Sequence, residues 1–246
     1  GPGIREAVAR KFVSEGFTVA LLARTETKLQ EMVSSIASDF GSHTAKYYIT
    51  DLRVESDIIK TFASIKQDLG PVNVLVYNAG ARRVNGRSIL DTSSEEFENF
   101  TKINLFGAFW SVKCVLPDML AAGKGTCIFT GATGSLRGSP GLSSFSPGKF
   151  GLRSLAQIVT REYQEKGIHA AHLVVDGPVD GKLIGGVTRR KWEREGEKEK
   201  LGEVEMRLMQ PTDLAGIYWF VHTQPRSTWT HELDVRAQKE GMFSKL

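Results

Sequence analysis

The sequence predicts an α/β fold in which a mainly parallel, doubly wound sheet is flanked by helices. Short apolar segments typical of buried strands alternate along the chain with longer segments that have helical periodicity. No internal repeat or low-complexity linker interrupts this alternation. At 246 residues the chain is long enough to bury the core of one such domain.

The strands are predicted where β-branched, aromatic and aliphatic residues follow one another without alternation, because strands of a parallel sheet are buried on both faces. The segments that fit this pattern are 17–22, 45–49, 72–77, 126–130, 169–175 and 229–235. In a sheet of this kind, ligands bind just beyond the carboxyl ends of the strands. We therefore look for functional residues at those ends.

The helices are predicted from apolar residues repeated at intervals of three and four, with capping signals at their ends. The segments are 4–12, 25–36, 58–69, 95–120, one after Lys149, 187–207 and 211–219. The fourth is predicted to begin with a capping box formed by Thr92 and Glu95. The segment 187–207 is charged and only weakly amphipathic.

Composition and charge exclude several classes of protein. Apolar residues make up 41% of the chain and charged residues 24%, and the formal net charge of +4 is spread among intermixed acids and bases. Such a surface is typical of a protein that does not bind nucleic acid. Two cysteines in apolar segments, Cys114 and Cys127, indicate a reducing compartment and no metal site. No apolar segment has the length of a membrane span, and no secretory signal opens the sequence.

The first residues form a glycine-containing turn that opens a helix and leads to a strand. Gly1, Gly3 and Ile4 lie where the backbone of a dinucleotide-binding unit approaches a pyrophosphate, with the helix amides as donors. The strand that precedes such a turn has no counterpart in the sequence. We therefore expect a Rossmann-type sheet of seven strands whose first strand is absent from this sequence. Its loss would leave a gap of roughly 9 to 10 Å across the core, so we expect that the sequence begins after a segment that carries this strand.

The end of the segment 17–22 indicates which dinucleotide binds. An acidic residue there would bind the ribose 2′-hydroxyl and repel a 2′-phosphate. Ala23 removes this repulsion, and Arg24 provides a planar cation that suits a phosphate. The sequence therefore favours NADP(H) over NAD(H).

Motifs spread along the chain resemble those of the short-chain dehydrogenase/reductase family. They are the partial glycine turn, Arg24, Asp51, Asn78-Ala79-Gly80, Asn104, the strand ending in Thr130-Gly131, Lys149 and a Gly/Pro turn after residue 175. The resemblance extends from residue 1 to about residue 235. It implies an oxidoreductase that acts on a carbonyl or alcohol with a nicotinamide cofactor.

The resemblance also implies roles for individual residues. Asp51 and Leu52 bind the cofactor, Asp51 by way of the adenine, and residues 78–80 lie against it. Lys149 binds the nicotinamide ribose, and Asn104 supports a water-linked proton path to Lys149. Beyond the segment 169–175, the positions that close over the nicotinamide are held by Gly177, Pro178 and Val179, although the order is altered and the family's threonine is absent.

Two catalytic positions depart from the family's pattern. Relatives have a serine at the strand end, a tyrosine thirteen residues later and a lysine four residues beyond it, whereas this sequence has Ala132, Phe145 and Lys149. Neither alanine nor phenylalanine can protonate a substrate oxygen, and general acid catalysis contributes about 10²- to 10⁴-fold. We expect impaired or non-standard proton donation, with the following candidate donors: Thr133, Ser143, Ser144, Ser146 or a water held by Lys149.

The favoured function is therefore NADP(H)-dependent conversion of a carbonyl or alcohol within a single domain, 1–246. In it, 182–210 form a substrate lid and 236–246 a C-terminal tail. Two alternatives remain open. One is a catalytically silent NADP(H)-binding scaffold, sensor or partner of an active relative. The other is a hydratase or isomerase that uses Lys149 or Tyr77. His169 and His172 are interpreted as structural residues.

Two expectations concern partners and location. The resemblance implies a homodimer or homotetramer assembled through the two helices that pair subunits in this family. Ser244-Lys245-Leu246 matches the peroxisomal address, which a peroxisomal import receptor reads at a free C-terminus. We expect a peroxisomal location, and otherwise a cytoplasmic one.

Overall fold

The computed structural model describes residues 3–80, 88–181 and 184–239. Strands and helices alternate through these residues as predicted. The six strands are β1 Val19–Ala23, β2 Ala45–Ile49, β3 Val74–Tyr77, β4 Gly125–Ala132, β5 Ile168–Val175 and β6 Glu232–Val235. The last strand begins three residues later than predicted, and a 3-10 turn at Arg226–Thr228 lies ahead of it.

The α-helices in the described part of the chain lie close to the predicted segments. They are α1 Ile4–Ser14, α2 Glu26–Phe40, α3 Glu55–Leu69, α4 Ser94–Thr101, α5 Gly107–Ala122, α6 Phe145–Tyr163, α7 Ile184–Arg194, α8 Lys198–Gly202, α9 Val204–Arg207 and α10 Pro211–Thr223. Pro147 lies in the first turn of α6, where its missing N–H removes no helical hydrogen bond.

The strands are all parallel, but they form two sheets. One sheet pairs β1 with β2, and the other has the order β3-β4-β5-β6. No strand lies between β1 and β3 in the part of the chain that the structure describes. The described strands therefore form a two-stranded and a four-stranded parallel sheet.

Both sheets pack against the same layers of helices. On one face, Ala20 and Leu22 of β1 share a hydrophobic cluster with Leu75 of β3 and with residues of α3, α5 and α6. On the other face, Val19 and Val74 pack in a second cluster with residues of α1 and α10. The doubly wound architecture is therefore confirmed, since helices cover both faces.

Two predicted helices differ in detail. The cap of α4 is Ser93, whose hydroxyl accepts a hydrogen bond from the Glu96 N–H at 3.1 Å, so the predicted capping box of Thr92 and Glu95 is wrong. The Thr92 hydroxyl instead donates to the Ser88 carbonyl at 2.9 Å. A π-helical turn at Lys102–Phe106 separates α4 from α5, so the predicted long helix changes its winding midway.

The predicted helix at 187–207 is also wrong, because α7, α8 and α9 replace it with three short helices. Gly196, whose φ of +70° lies in the left-handed region, follows the end of the first of them. Arg189 of α7 forms an ion pair with Asp180, which ties this helix to the segment that follows β5.

The 29-residue helical stretch Ser94–Ala122 is the described segment that has the length and composition of a membrane span, since an 18-residue window within it has a mean hydropathy of 1.3. Core helices pass the same test of length and composition. Here Val112, Val115, Leu116 and Met119 are buried in the protein's own hydrophobic core.

Candidate active site

Lys149 lies at the centre of the candidate site, in the first turns of α6. Its side chain is only 5% exposed, and its Nζ donates a hydrogen bond to the Thr130 carbonyl of β4 at 2.8 Å. The ammonium lies 5.9 Å from the centre of the Phe145 ring. Burial lowers the pKa of Lys149 to about 8, because an ammonium is poorly solvated there.

Asn104 lies in the π-helical turn beside α6 and is fully buried. Its Nδ2 donates to the Phe100 carbonyl at 2.9 Å, whereas its Oδ1 has no hydrogen-bond partner among the described residues. A Cβ added at Gly148 would lie 3.0 Å from the Asn104 Cβ, and one at Gly80 would lie 3.8 Å from its Oδ1. The structure therefore brings Asn104 together with Gly80 and the start of α6, next to Lys149.

The two altered positions offer no polar side-chain atom to a substrate. Ala132 ends β4, and the Phe145 ring packs against Gly134, where an added Cβ would lie 2.9 Å from two ring carbons. The backbone N–H of Ala132 donates to the Ser135 hydroxyl at 3.1 Å. The turn after β4 is therefore held by Ser135 rather than by a side chain at position 132.

Thr133, a candidate proton donor, donates its hydroxyl hydrogen to Asp176 Oδ1. Asp176 is fully buried just beyond β5, and its Oδ2 forms an ion pair with Arg236 at 2.9 Å. The Thr133 hydroxyl is thus directed at a carboxylate that is itself paired, and not at an incoming substrate.

The three candidate serines before and within α6 differ from one another. Ser143 hydrogen-bonds the Thr92 hydroxyl, whose own hydrogen goes to Ser88, and Ser144 donates to Glu96 at 3.0 Å. Ser146 is buried, and its hydroxyl has no partner among the described residues. Of these three serines, Ser146 alone therefore keeps an uncommitted hydroxyl.

A buried polar network that was not predicted from the sequence lies beneath the turn after β4. Ser135 Oγ lies 3.2 Å from His172 Nε2, and His172 Nδ1 lies 2.9 Å from Glu232 Oε2. Arg153 of α6 donates to both oxygens of Glu232, at 2.6 and 2.7 Å. Desolvation by burial lowers the pKa of His172, although Glu232 opposes this effect. The neutral imidazole then receives the Ser135 hydrogen and donates from Nδ1.

Ser135 and His172 are 0% and 1% exposed, so this network lies out of reach of a substrate. Its role is to fix the turn that presents Ala132 and Thr133. The structure agrees with the interpretation of His172 as structural. His169 is also buried. Its Nε2–H donates to the Thr230 carbonyl at 2.9 Å, and its ring stacks on Trp229 with the ring centres 4.9 Å apart. Neither the pairing with Ser135 nor that with Glu232 follows from sequence spacing, since His172 lies in β5, Ser135 in the turn after β4 and Glu232 in β6.

The predicted phosphate-binding residues lie at the start of α1. Gly1 falls outside the described residues. Gly3 is the N-cap of α1 and Ile4 its first residue, and no side chain caps the free amides of the first turn. A Cβ added at Gly3 would meet nothing within 4 Å. The start of α1 is therefore an open helix N-terminus with donors for an anion.

Arg24 and Asp51 follow β1 and β2 at the same edge of the sheet. Arg24 is exposed and has no hydrogen bond with a described residue. Asp51 is bound by Arg53, which donates from its backbone N–H at 3.0 Å and also from its guanidinium, and these bonds hold the pKa of Asp51 below its usual value. Leu52 packs against the hydrophobic cluster beside Tyr77.

The remaining predicted cofactor residues lie on two loops. Residues 78–80 directly follow β3, with Gly80 beside Asn104. Gly177 has a φ of +144°, a conformation that side chains rarely adopt. Pro178 and Val179 pair with Met209, since the Met209 N–H donates to the Pro178 carbonyl at 3.0 Å.

These features fit a dinucleotide. The uncapped start of α1 suits a pyrophosphate, and exposed Arg24 suits a further phosphate. The unpartnered Asn104 Oδ1 is a buried acceptor that needs a donor. No cluster of His, Cys, Asp and Glu side chains suited to a metal occurs among the described residues.

Tyr77 does not fit a catalytic role. Its buried hydroxyl donates to the Ile103 carbonyl at 2.5 Å, and burial raises the pKa of its phenol above the usual value. The phenol is thus both committed and a weaker acid than a free tyrosine.

Comparison with known proteins gives consistent results. The family model described as short chain dehydrogenase matches residues 1–190. A short-chain dehydrogenase/reductase of Armillaria gallica is 29% identical over 94% of this chain and 88% of its own length. A 3-oxoacyl-[acyl-carrier-protein] reductase of Bos taurus is 31% identical over 68% of this chain and 67% of its own length.

Solved structures are similar along nearly the whole chain. A short-chain dehydrogenase from Rhodopseudomonas palustris is 32% identical, with a TM-score of 0.76 over 96% of this chain and 95% of that one. An alcohol dehydrogenase of Thermococcus sibiricus, solved with 5-hydroxy-NADP, has a TM-score of 0.77 over 96% of this chain and 92% of that one. At 23% identity the latter shows the shared fold.

Proposed function

Because this chain belongs to the short-chain dehydrogenase family, we propose that it binds NADP(H) and acts as an oxidoreductase on a carbonyl or alcohol. The observation that carries this proposal is the grouping of buried Lys149 with Asn104, whose Oδ1 is unpartnered, next to Gly80 beyond β3. Burial of two polar groups that lack hydrogen-bond partners costs free energy unless a ligand provides those partners.

We propose that different residues of the chain bind different parts of the dinucleotide. The amides at Gly3 and Ile4 hold the pyrophosphate, and Arg24 holds the 2′-phosphate. Gly80 and the segment 177–179 line the nicotinamide side, with Lys149 beneath the ribose. The bound nicotinamide supplies or accepts the hydride. The lid formed by α7, which Asp180 anchors through Arg189, excludes water from the reacting centre.

The preference for NADP(H) rests on Arg24. It is exposed at the end of β1, follows Ala23 rather than an acid, and has no hydrogen bond to another described residue. A guanidinium with free donors binds a phosphate in a bidentate manner. The solved Thermococcus sibiricus relative with bound 5-hydroxy-NADP supports a cofactor of this class.

Calorimetric titration tests the cofactor proposal. We expect wild-type protein to bind NADPH much more tightly than NADH, and Arg24→Ala to weaken NADPH binding roughly tenfold while leaving NADH binding unchanged. Arg161→Ala, an exposed arginine near the end of α6, is the matched control and retains wild-type affinity. Failure of both dinucleotides to bind would refute the proposal and favour a structural or partner-binding role.

A turnover measurement distinguishes the proposed oxidoreductase from a catalytically silent scaffold. We expect slow NADPH oxidation with some member of a panel of aldehydes, ketones and 3-oxoacyl thioesters, the last suggested by the Bos taurus relative. The double variant Ala132→Ser, Phe145→Tyr restores the family's hydroxyls. Binding without turnover in the wild type, combined with turnover in the double variant, would favour the scaffold instead.

We also propose that two copies of the chain associate through α5 and α6. Their exposed apolar side chains include Phe109 at 45% and Phe150 at 41%. Sedimentation should give a dimer or tetramer for the wild type and a monomer for Phe109→Glu with Phe150→Glu. Phe220→Glu, on α10 and 52% exposed, is the control that leaves assembly unchanged.

Peroxisomal import through Ser244-Lys245-Leu246 is a further proposal, which applies where this tripeptide is a free C-terminus. These residues lie outside the described part of the chain. A fluorescent fusion at the N-terminus should enter peroxisomes, and its Lys245→Glu variant should remain in the cytoplasm. Equal distribution of both fusions would refute import by this route.

A further inference from the structure

The hydroxyls that could replace the missing tyrosine are nearly all committed. Thr133 donates to Asp176, Ser144 donates to Glu96, and Ser143 is bonded to Thr92. Ser146 keeps a free hydroxyl, but an alcohol is a far weaker acid than a phenol. A replacement donor must therefore be sought among groups of another kind.

Lys149 is such a group. An ammonium has three hydrogens to donate, and Lys149 uses one of them, in its bond to the Thr130 carbonyl. The side chain is buried, and no carboxylate pairs with it among the described residues. Its Nζ lies over the ring of Phe145, the residue at the position of the family's phenol. Two acidic hydrogens are therefore present in the same part of the site where the usual donor is lost.

We propose that Lys149 is itself the proton donor for carbonyl reduction in this protein, in place of a phenol at position 145. The inference rests on the proposed function. The carbonyl carbon accepts a hydride from the reduced nicotinamide, and the carbon–oxygen π pair moves to the oxygen. That oxygen takes a proton from Lys149 Nζ, which leaves an alcohol, a neutral amine and an oxidised nicotinamide.

The acidity of Lys149 agrees with this role. Burial lowers its pKa to about 8, which is close to the range in which a general acid is most effective near neutral pH. Solvent returns the proton to the amine after each turnover. The Asn104 Oδ1, buried and unpartnered, is an acceptor that can hold a water on this route.

Other titratable and charged groups on the elements around Lys149 are engaged with partners. They are His172 and Asp176 on and after β5, Glu232 of β6, Glu96 and Glu98 of α4, Lys102 of the π-helical turn and Arg153 of α6. Among these groups, His172 is affected by the charge of Lys149, which helps to lower the pKa of the imidazole. Its pKa is lowered, so it is neutral where Lys149 titrates.

The first test is a direct titration of Lys149 by NMR, with the lysine side chains isotopically labelled. We expect one lysine that titrates near pH 8 in the wild type and whose signal is absent from Lys149→Met. This measurement needs neither cofactor nor substrate. A Lys149 signal that stays protonated beyond pH 10 would overturn the proposal.

The second test is the pH dependence of kcat for NADPH oxidation, with the best substrate of the carbonyl panel. We expect the rate to fall as pH rises through about 8, since the acid form is lost. Lys149→Arg keeps a cation that cannot deprotonate, so it should retain NADPH binding but lose at least about 10²-fold in kcat. Ser146→Ala removes the free hydroxyl and should keep the wild-type rate.

The outcomes distinguish this inference from the function on which it rests. Full activity in Lys149→Arg would show that Lys149 acts only as a charge, and loss of activity in Ser146→Ala would assign the proton to the serine. Either result overturns the donor role while NADPH-dependent reduction stands. Failure of the wild type to bind NADPH by calorimetry would overturn both.

Discussion

The strands β4 and β5, at the centre of the larger sheet, differ in burial from β1 and β3. Most of β4 and all of β5 are buried, whereas β1 and β3 contain as many half-buried as buried residues or more. The side chains of Ala20 and Leu22 in β1 pack against the same hydrophobic cluster as Leu75 of β3.

This difference divides the candidate site. Lys149 and Asn104, which would carry the chemistry, are fixed to the larger sheet through Thr130 and the α6 contacts. Gly3, Arg24 and Asp51, which would bind the phosphates and the adenine, belong to α1 and the smaller sheet. The residues proposed for the chemistry are therefore deeply buried and held by fixed contacts, whereas Arg24, proposed for the phosphate, is exposed.

The largest expected effect comes from matched leucine truncations on the two sides of this comparison. Leu173→Ala in β5, where the side chain is fully buried, should lower the free energy of unfolding by about 3 to 4 kcal/mol. Leu22→Ala in β1, where the side chain is half-buried, should cost about 1 to 2 kcal/mol. Urea denaturation measures both. Equal losses would mean that β1 is as firmly packed as β5.

Glycine-to-alanine substitutions at two positions test the same difference in packing between the two regions. A Cβ at Gly131 would lie 2.2 Å from His172 Nε2, so Gly131→Ala should displace the Ser135–His172 network and cost about 2 to 3 kcal/mol. Gly3→Ala meets nothing within 4 Å and should change stability by less than about 0.5 kcal/mol. Thermal unfolding compares the two. An unchanged stability in Gly131→Ala would show that the Ser135–His172 network does not hold the turn after β4.

Removal of the buried ammonium should stabilise the protein without its cofactor. Lys149→Met removes a charged side chain that is 5% exposed. Because the folded state lowers the pKa of Lys149, keeping the lysine protonated at pH 7 destabilises the folded state relative to the unfolded chain. We expect a gain of about 2 kcal/mol in the free energy of unfolding, reduced from the full shift because the bond to Thr130 is lost. Lys113→Met, on the exposed part of α5, is the control. A destabilised Lys149→Met would contradict burial as the cause of the lysine's acidity.

The smallest expected effect is on the pH dependence of stability. The pKa of His172 is lowered in the folded state, so the unfolded chain binds a proton more readily, and stability declines as pH falls below about 6.5. His172→Gln should remove part of this decline. His43→Gln, at an exposed histidine, should leave it unchanged. The measurement is the denaturation midpoint between pH 7 and pH 5, and identical slopes for all three proteins would refute the assignment.

The strands and the doubly wound layers could be predicted because they follow from patterns of apolar residues along the chain. The helix near Lys149 was predicted only after that residue, whereas α6 begins at Phe145 and includes it. Asn104 was linked to Lys149 by the family resemblance. Two wrong predictions concern local geometry. Ser93 caps α4 in place of Thr92, and a turn at Gly196 follows the first of the three helices that replace 187–207.

The hydroxyls of Thr133 and Ser144 could not be assessed from the sequence, because the groups that accept their hydrogens come from distant segments of the chain. Both residues lie where the sequence suggests a substitute acid, and only the structure shows that Asp176 and Glu96 already accept their hydrogens. The Ser135–His172–Glu232 network joins residues from three segments whose proximity is set by strand order. Its one local signal is the serine that follows Gly134.

The most direct test of this account is hydrogen–deuterium exchange with and without NADPH. We expect slow exchange in β4 and β5 without cofactor, and faster exchange in β1 and at the start of α1. NADPH should then slow exchange at the start of α1 and at the end of β1, and leave β5 unchanged. Equal protection of β1 and β5 in the absence of cofactor, or no change on adding NADPH, would contradict a preorganised reacting centre joined to a dinucleotide half that the cofactor secures.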